Sequence, residues 1–441
     1  MNAPFVLAPR WIVPVESPPG LPEVLHGYAL VVEHGAIREL LPVADARARY
    51  SALAWTELPR HALIPGLINL HCHAAMSLMR GFADDLPLMR WLGERIWPAE
   101  KAHLAAGFVR DGSLLAAAEM LAGGVTTVND MYFHPLAAGE AYLAAGLRAV
   151  LGMTVIDFPT SYAVDADDYL AKGLAARDAL KGEPLLGFSF APHAPYTISD
   201  ATFGRIATLA EQLGLPIHTH IHETAQEIAD SVKQFGVRPL ERLARLGLLG
   251  PNFIGVHAVH LSEAEIAALA RAGCHVAHCP ASNLKLASGI APVAELLAAG
   301  VNLGFGSDGA ASNNRLDLFA EMRLAALLAK GASGDAGVLP ARRALAAATL
   351  DAARALDLDS RIGSLRPGKR ADLVAVDLGG AGTQPVFDPL SHLVYVCGRE
   401  HVSHVWVDGE ARVTAGKPLT LDTADLAARA GYWSGKLALP G

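Results

Sequence analysis

The stretch His61–Gly81 reads HALIPGLINLHCHAAMSLMRG, an apolar run that ends abruptly in His71-Cys72-His73. Leu63, Ile64, Leu67, Ile68 and Leu70 predict a buried strand over 62–71. Residues i and i+2 of a strand point the same way, so His71 and His73 can offer two ring nitrogens to one point. Imidazole binds zinc-like ions at about 2.0–2.1 Å. Cys72 points the other way and reads as a small packed hydrophobe rather than a ligand. An H-x-H pair alone is a weak signal, so its meaning depends on the other strand ends.

Seven more β-rich runs follow: VTTVNDM (125–131), RAVLGMTVI (148–156), LLGFSFAPH (185–193), LPIHTHIH (215–222), NFIGVHAVH (252–260), CHVAHC (274–279) and VNLGFGSD (301–308). Helical segments such as DGSLLAAAEMLAGG and DATFGRIATLAEQLG separate most of them. Eight such repeats predict an α/β fold, a (β/α)8 TIM-type barrel. A doubly wound open sheet is the rival, weakened because no G-x-G-x-x-G follows any strand. The chain ends differ from the middle. YALVVEHGAIRELL reads as a hairpin around His34-Gly35, RADLVAVDL as a strand, and VSHVWVDGEARV as a hairpin turning at Asp408-Gly409. Neither end buries an apolar face well alone, so the two are expected to pair in a small β-sandwich domain. The expected organisation is 1–64 as its N-terminal part, 65–364 as the barrel, and 365–441 as its C-terminal part plus a terminal helix.

Composition excludes several classes. The 441 residues are 52% apolar and 18% charged, fitting a soluble globular chain with a large core. The net charge of −8 carries no basic stripe, so nucleic acid is not an expected partner. The opening MNAPFVLAPRWIVPVESPPG lacks the charged and unbroken apolar regions of a secretory signal. No apolar stretch reaches about 18 residues, so no membrane span is expected. Cys72, Cys274, Cys279 and Cys397 form no C-x-x-C pair, and a reducing cytoplasm is the expected location.

In such barrels chemistry gathers at the carboxyl ends of the strands. His71 and His73 end the first strand, His193 the fourth, His257 and His260 the sixth, and Asp308 the eighth; His278 lies late in the seventh. The fifth carries His218, His220 and His222 on one face, and parity cannot say which binds a metal. His220 is preferred because it stands three residues before Glu223, a carboxylate able to reach a bound substrate. His218 is then read as core, His222 as packing, and His260 and His278 as wall residues. Ser-Asp-Gly around Asp308 is a turn sequence, and only its place at the last strand end argues for chemistry. The fourth strand lacks the lysine that bridges two metals in some barrels of this kind, which favours one ion.

With these residues assembled, the chain resembles the amidohydrolase superfamily, and within it the deaminases acting on 5'-methylthioadenosine and S-adenosylhomocysteine. The matching pieces are PGLINLHCHAAMSLMRGFADDLPLMRWL, GVTTVNDMYFH, FAPHAPYTIS, IHTHIHET, VHAVHLSEAEI, HCPASNLKLASGIAPV, GSDGAASNNRLDLFAEMRLAALL and GSLRPGKRADLVAVDL. The resemblance implies metal ligation by His71, His73, His220 and Asp308, proton shuttling by Glu223, and a place for His257 beside the attacking water. It implies substrate contacts at His193, at Glu223 and at Glu100, whose carboxylate would hold the ribose hydroxyls. It also implies one divalent ion, with zinc ahead of iron(II) or manganese(II), and allows a homo-oligomer. Some relatives hold the homocysteine carboxylate with arginines after the third strand. Here that region, MTVIDFPTSYAVDADDYLAKG, has none, which predicts a preference for methylthioadenosine.

The expected reaction is metal-dependent hydrolytic deamination of an adenine nucleoside to the inosine derivative and ammonia. Asp308 takes the proton of the attacking water, His257 orients it, and Glu223 protonates ring N1. The other zinc-deaminase architecture needs H-x-E with P-C-x-x-C, and no such cysteine pair exists here. Guanine deamination, s-triazine dechlorination and cyclic amide hydrolysis are alternatives on the same scaffold, since fold alone does not settle substrate. A non-catalytic metal-binding barrel is the second alternative, but it would not need Glu223, an acid that is not a ligand.

Overall fold

The computed structural model describes residues 3–17 and 20–438; residues 1, 2, 18 and 19 of the stretch read for a leader lie outside the described residues. Eight parallel strands follow one another in chain order around a barrel. They are Leu67–Cys72, Val125–Tyr132, Arg148–Val155, Leu186–Pro192, Ile217–Ile221, Phe253–His257, His275–His278 and Asn302–Phe305. Helices such as Ala106–Ala122 and Asp200–Leu213 separate them, the latter capped by the Ser199 hydroxyl at the Thr202 N–H. Along the first strand His71 turns toward His218, while a register shift between Asn69 and Cys72 leaves Asn69 against Met120 of the helix Ala106–Ala122. Ile68 and Leu70 pack in one cluster with Val150, Ile254 and Val256 of other barrel strands and with Ala352 and Ala353 of the helix Leu350–Ala355.

The predicted strand over 62–71 is in fact two strands. Ala54–Pro65 belongs to a different sheet, antiparallel to Leu373–Asp377 and parallel to Phe5–Ile12. The chain enters the barrel only after Gly66, where a Cβ would lie 1.9 Å from Thr126 Oγ1 of the neighbouring strand. Apolar patterning runs unbroken through this point because both strands are buried. Only the glycine, placed where two backbones approach closely, marks the change of sheet.

No ladder joins the last barrel strand to the first among the described residues. Asn69 closes the gap instead: its Oδ1 accepts the Ser307 N–H at 2.9 Å and its Nδ2 donates to Ser307 Oγ at 2.7 Å. The Asp308 N–H donates to the His71 carbonyl at 3.0 Å. Gly306 permits this approach, since a Cβ there would lie 2.8 Å from the His71 Cβ. The seam therefore fixes Asp308 against His71.

Both chain ends build one nine-stranded mixed sheet. It curls into the expected sandwich until the two hairpin tips meet. The Gly35 carbonyl accepts the Ala371 N–H at 2.9 Å, and the Ala371 carbonyl accepts the Gly409 N–H at 3.0 Å. Leu7, Leu30, Leu63, Leu373 and Trp406 fill the interior, while Ile64, Val374 and Val405 join the main core on the barrel side. All four cysteines are free and buried, and no described helix is long and apolar enough to cross a membrane.

A buried ion pair ties sheet to barrel. Arg148 of the third barrel strand donates to both oxygens of Asp372, at 3.0 and 3.1 Å, with side chains 4% and 2% exposed. Removing the carboxylate leaves the buried guanidinium only longer contacts, to Asp408 at 3.3 Å and to the Pro184 carbonyl at 3.4 Å. Asp372→Ala should therefore cost about 3–5 kcal/mol, read as a clear fall in the denaturation midpoint; an unchanged midpoint would contradict this role.

Candidate metal centre and active site

The strand ends bring His71, His73, His220, His257 and Asp308 to one place. Two overlapping clusters share His71: one adds His220 and His257, the other His73 and Asp308, each with ligand atoms within 4.8 Å of one another. Asp308 Oδ1 lies 3.3 Å from Nε2 of both His71 and His73. His220 Nε2 lies 3.3 Å from His71 Nε2. Two donors each about 2.1 Å from one ion at a tetrahedral angle stand about 3.4 Å apart, so these separations suit a shared cation.

The proton positions agree. Nδ1 of His73 lies 2.6 Å from the Met131 carbonyl, and Nδ1 of His220 lies 2.6 Å from the His193 carbonyl. A carbonyl only accepts, so each ring carries its proton there and turns a lone pair inward. His257 does the same through Asn283 Oδ1 at 2.8 Å. Burial brings the pKa of His71 down to about 3 and that of His220 well below its ordinary value. Burial opposes ionisation of Asp308, and the His71 contact and nearby imidazoles hold its carboxyl well below the usual range only where those rings bear protons, a part that a bound cation takes once the lone pairs turn inward. Neutral imidazoles facing an ionised carboxylate form the donor set of a divalent transition metal, and without a cation these lone pairs would repel. The residues fit a metal ion.

A surrounding layer holds them. Asp308 Oδ2 accepts from Ser282 Oγ at 2.6 Å and Ser312 Oγ at 3.0 Å, and Oδ1 accepts the Gly309 N–H at 2.8 Å. His257 and Asp308 both have left-handed backbones, with φ of 71° and 58°, a strain that persists only where neighbours over-determine it. Ser282 and Asn283 lie in the matching piece HCPASNLKLASGIAPV and Ser312 in GSDGAASNNRLDLFAEMRLAALL, but nothing in the sequence assigns these side chains a role. Their signal was the motif itself. His218 is buried with its Nε2 3.0 Å from His71 Nδ1, so it backs the cluster rather than joining it. The His222 ring accepts the Leu240 N–H at 3.0 Å, His260 Nε2 donates to the Ser288 carbonyl at 2.7 Å, and His278 is buried near Phe305. Cys72 is buried in the wall, its thiol pushed up by burial.

A pocket opens over the cluster, lined by His73, His193, His220, Glu223, His257 and Asp308 as well as Glu100. Glu223 is buried, its Oε2 3.8 Å from His257 Nε2, and burial raises its pKa. Glu100 accepts from the Tyr132 hydroxyl at 2.7 Å, and burial pushes it up to about 7. His193 is likewise brought down to about 3 by burial. The stretch after the first barrel strand folds as Leu88–Trp91, a π-helical turn Leu92–Ile96, and Trp97–His103. Leu88, Trp91, Leu92, Ile96 and Trp97 face the pocket, an apolar ceiling the sequence did not resolve residue by residue.

Comparison with known proteins follows the same lines. The chain is 47% identical over 435 residues to a 5-methylthioadenosine/S-adenosylhomocysteine deaminase of Saccharophagus degradans, covering 99% of this chain and 97% of that one. It is 46% identical over 433 residues to the protein of that name in Teredinibacter turnerae, covering 98% and 97%. Among solved structures, an adenosine deaminase from Xanthomonas campestris with bound zinc superposes with a TM-score of 0.96 at 48% identity, over 98% of each chain. An atrazine chlorohydrolase from Arthrobacter aurescens, 24% identical with a TM-score of 0.89 over 98% of this chain and 100% of that one, shares the fold. The amidohydrolase family model matches residues 62–412, and this chain belongs to the amidohydrolase family.

Proposed function

We propose that this chain is a metal-dependent aminohydrolase that converts 5'-methylthioadenosine to the inosine derivative and ammonia, with S-adenosylhomocysteine and adenosine as poorer substrates. One observation carries the reading: Glu223, a buried carboxyl whose pKa is raised, stands across the pocket floor from Asp308, a carboxyl held ionised. Two carboxyls pushed in opposite directions supply an acid and a base at one site. The deaminase relatives and the zinc-bearing adenosine deaminase structure support it.

His71, His73, His220 and Asp308 hold the ion, for which zinc is the proposal; iron(II) and manganese(II) accept the same donors. When bound, the ion makes a water molecule acidic enough to act as a nucleophile near neutral pH. Asp308 takes the proton of the attacking water. His257, its Nδ1–H fixed on Asn283, presents Nε2 to that water and orients it. Glu223 gives its proton to purine N1 as the bond to C6 forms, so negative charge does not build on the ring. Proton delivery to the C6 amino group then releases ammonia. Glu100, with Oε1 engaged by Tyr132, offers its other oxygen to the ribose hydroxyls, and His193 contacts the substrate from the fourth strand end. The four unpaired buried cysteines suit a reducing cytoplasm, where we place the enzyme.

The preference for methylthioadenosine rests on the second cavity, which shares Trp97, Glu100 and Phe133 with the first. Its further lining is Leu104, Phe158, Pro159, Thr160, Ser161 and a single cation, Lys101. Aromatic rings suit a thioether methyl, through contacts of roughly 0.3–1.5 kcal/mol each.

Two measurements test this reading. Glu223→Gln should keep its metal and lose about 10²–10⁴ in turnover; near-normal ammonia release would contradict the acid assignment. In a panel of methylthioadenosine, S-adenosylhomocysteine, adenosine, guanine and a triazine, methylthioadenosine should have the highest kcat/KM. A strong preference for S-adenosylhomocysteine would refute the tail-pocket reading, and turnover of guanine or the triazine alone would refute the nucleoside reading.

A further inference from the structure

Directly after the fifth barrel strand stands a second buried carboxylate, Glu227, that the reaction above leaves without a role. It sits in the first turn of the helix Ala225–Phe235, capped by the Thr224 hydroxyl at the Glu227 N–H. A glutamate at this position ordinarily turns back to accept the N–H of the capping residue itself. The helix after the sixth strand shows that arrangement, with Glu265 accepting the Ser262 N–H at 2.8 Å. Glu227 reaches further back. Its Oε1 accepts the His222 N–H at 3.2 Å and its Oε2 accepts the Glu223 N–H at 2.9 Å.

The segment it grips is strained. His222 has φ of 52°, in the left-handed region that a non-glycine residue adopts at a cost. Its carbonyl accepts the N–H groups of Val259 and His260 at 3.1 and 3.0 Å, and its ring accepts the Leu240 N–H at 3.0 Å. Glu227 completes this set from the catalytic side. It does not line the pocket, so it does not meet the substrate.

We propose that Glu227 is a positioning residue: by clamping the peptide N–H groups of His222 and Glu223 it fixes the backbone from which the Glu223 carboxyl reaches into the pocket. Burial pushes Glu227 up to about 7 while the two N–H groups favour its charged form; accepting both at once needs both oxygens free of a proton. An amide in its place offers one acceptor and turns an NH₂ group against the second N–H. This inference rests on the deaminase reading above.

The test compares wild type, Glu227→Gln, Glu223→Gln and the double variant as purified metal-loaded proteins. Ammonia release from methylthioadenosine is measured with metal content and melting midpoint. Glu227→Gln should lower kcat by about tenfold or more, with KM within about threefold and metal content unchanged. In the Glu223→Gln background the same change should cost less than about threefold, because a clamp acting through Glu223 has nothing left to position. Should Glu227→Gln not fold, Glu227→Asp, which keeps the charge but shortens the reach, gives the same cycle. The proposal is overturned by a kcat within twofold of wild type, by a rise in KM at unchanged kcat, by metal loss alongside activity, or by losses that multiply in the double variant. A wild type that releases no ammonia from methylthioadenosine overturns both the clamp and the deaminase reading; a normal wild type with multiplied losses overturns the clamp alone.

Discussion

Nitrogen lone pairs and a carboxylate oxygen, buried together at separations of 3.3 Å, are the constraint on which this structure turns. Each ring that shows its proton position has placed it on the outer nitrogen, against a carbonyl or an amide oxygen. The inner nitrogens therefore face one another and Asp308 as acceptors. Burying unpaired acceptors is unfavourable, and burying a carboxylate among them more so. A divalent cation reverses the sign of every one of these contacts.

The rest of the fold holds those atoms at that spacing. The barrel places the ligands at the ends of different strands, and its seam is closed by Asn69 and Ser307 rather than by a ladder. That closure brings Asp308 to His71, while Ser282 and Ser312 saturate the carboxylate's outer oxygen. Backbone strain at His222, His257 and Asp308 falls on or beside the residues assigned to chemistry. Such strain is tolerated where hydrogen bonds from several elements fix it, and for His257 and Asp308 they come from the short helix Pro280–Lys285, 26 residues away in sequence.

Much of this was legible in the chain. Eight β-rich runs, an H-x-H at the first, and histidines or an aspartate at the ends of others announced a barrel with a metal-binding mouth. Periodicity failed at Gly66, because two buried strands in succession look like one long strand. It also could not separate His218, His220 and His222, which share a face. The structure separates them by depth and partner: His218 backs His71, His220 reaches the cluster, and His222 is held by Leu240 and the Glu227 clamp. Ser282, Asn283 and Ser312 were out of reach because small polar side chains carry no pattern of their own. Their function exists only once the short helices Pro280–Lys285 and Ala310–Asn313 meet.

The apolar ceiling of the pocket illustrates the same limit. Its tryptophans and leucines could be read as core residues of any helix, and only the fold shows that they roof a pocket. X-ray absorption at the metal edge of the purified protein addresses the central assignment most directly. It should show nitrogen and oxygen neighbours alone, at about 2.0–2.2 Å, with scattering from several imidazole rings. A sulfur neighbour at about 2.3 Å, or no divalent metal in near-stoichiometric amount, would contradict the account.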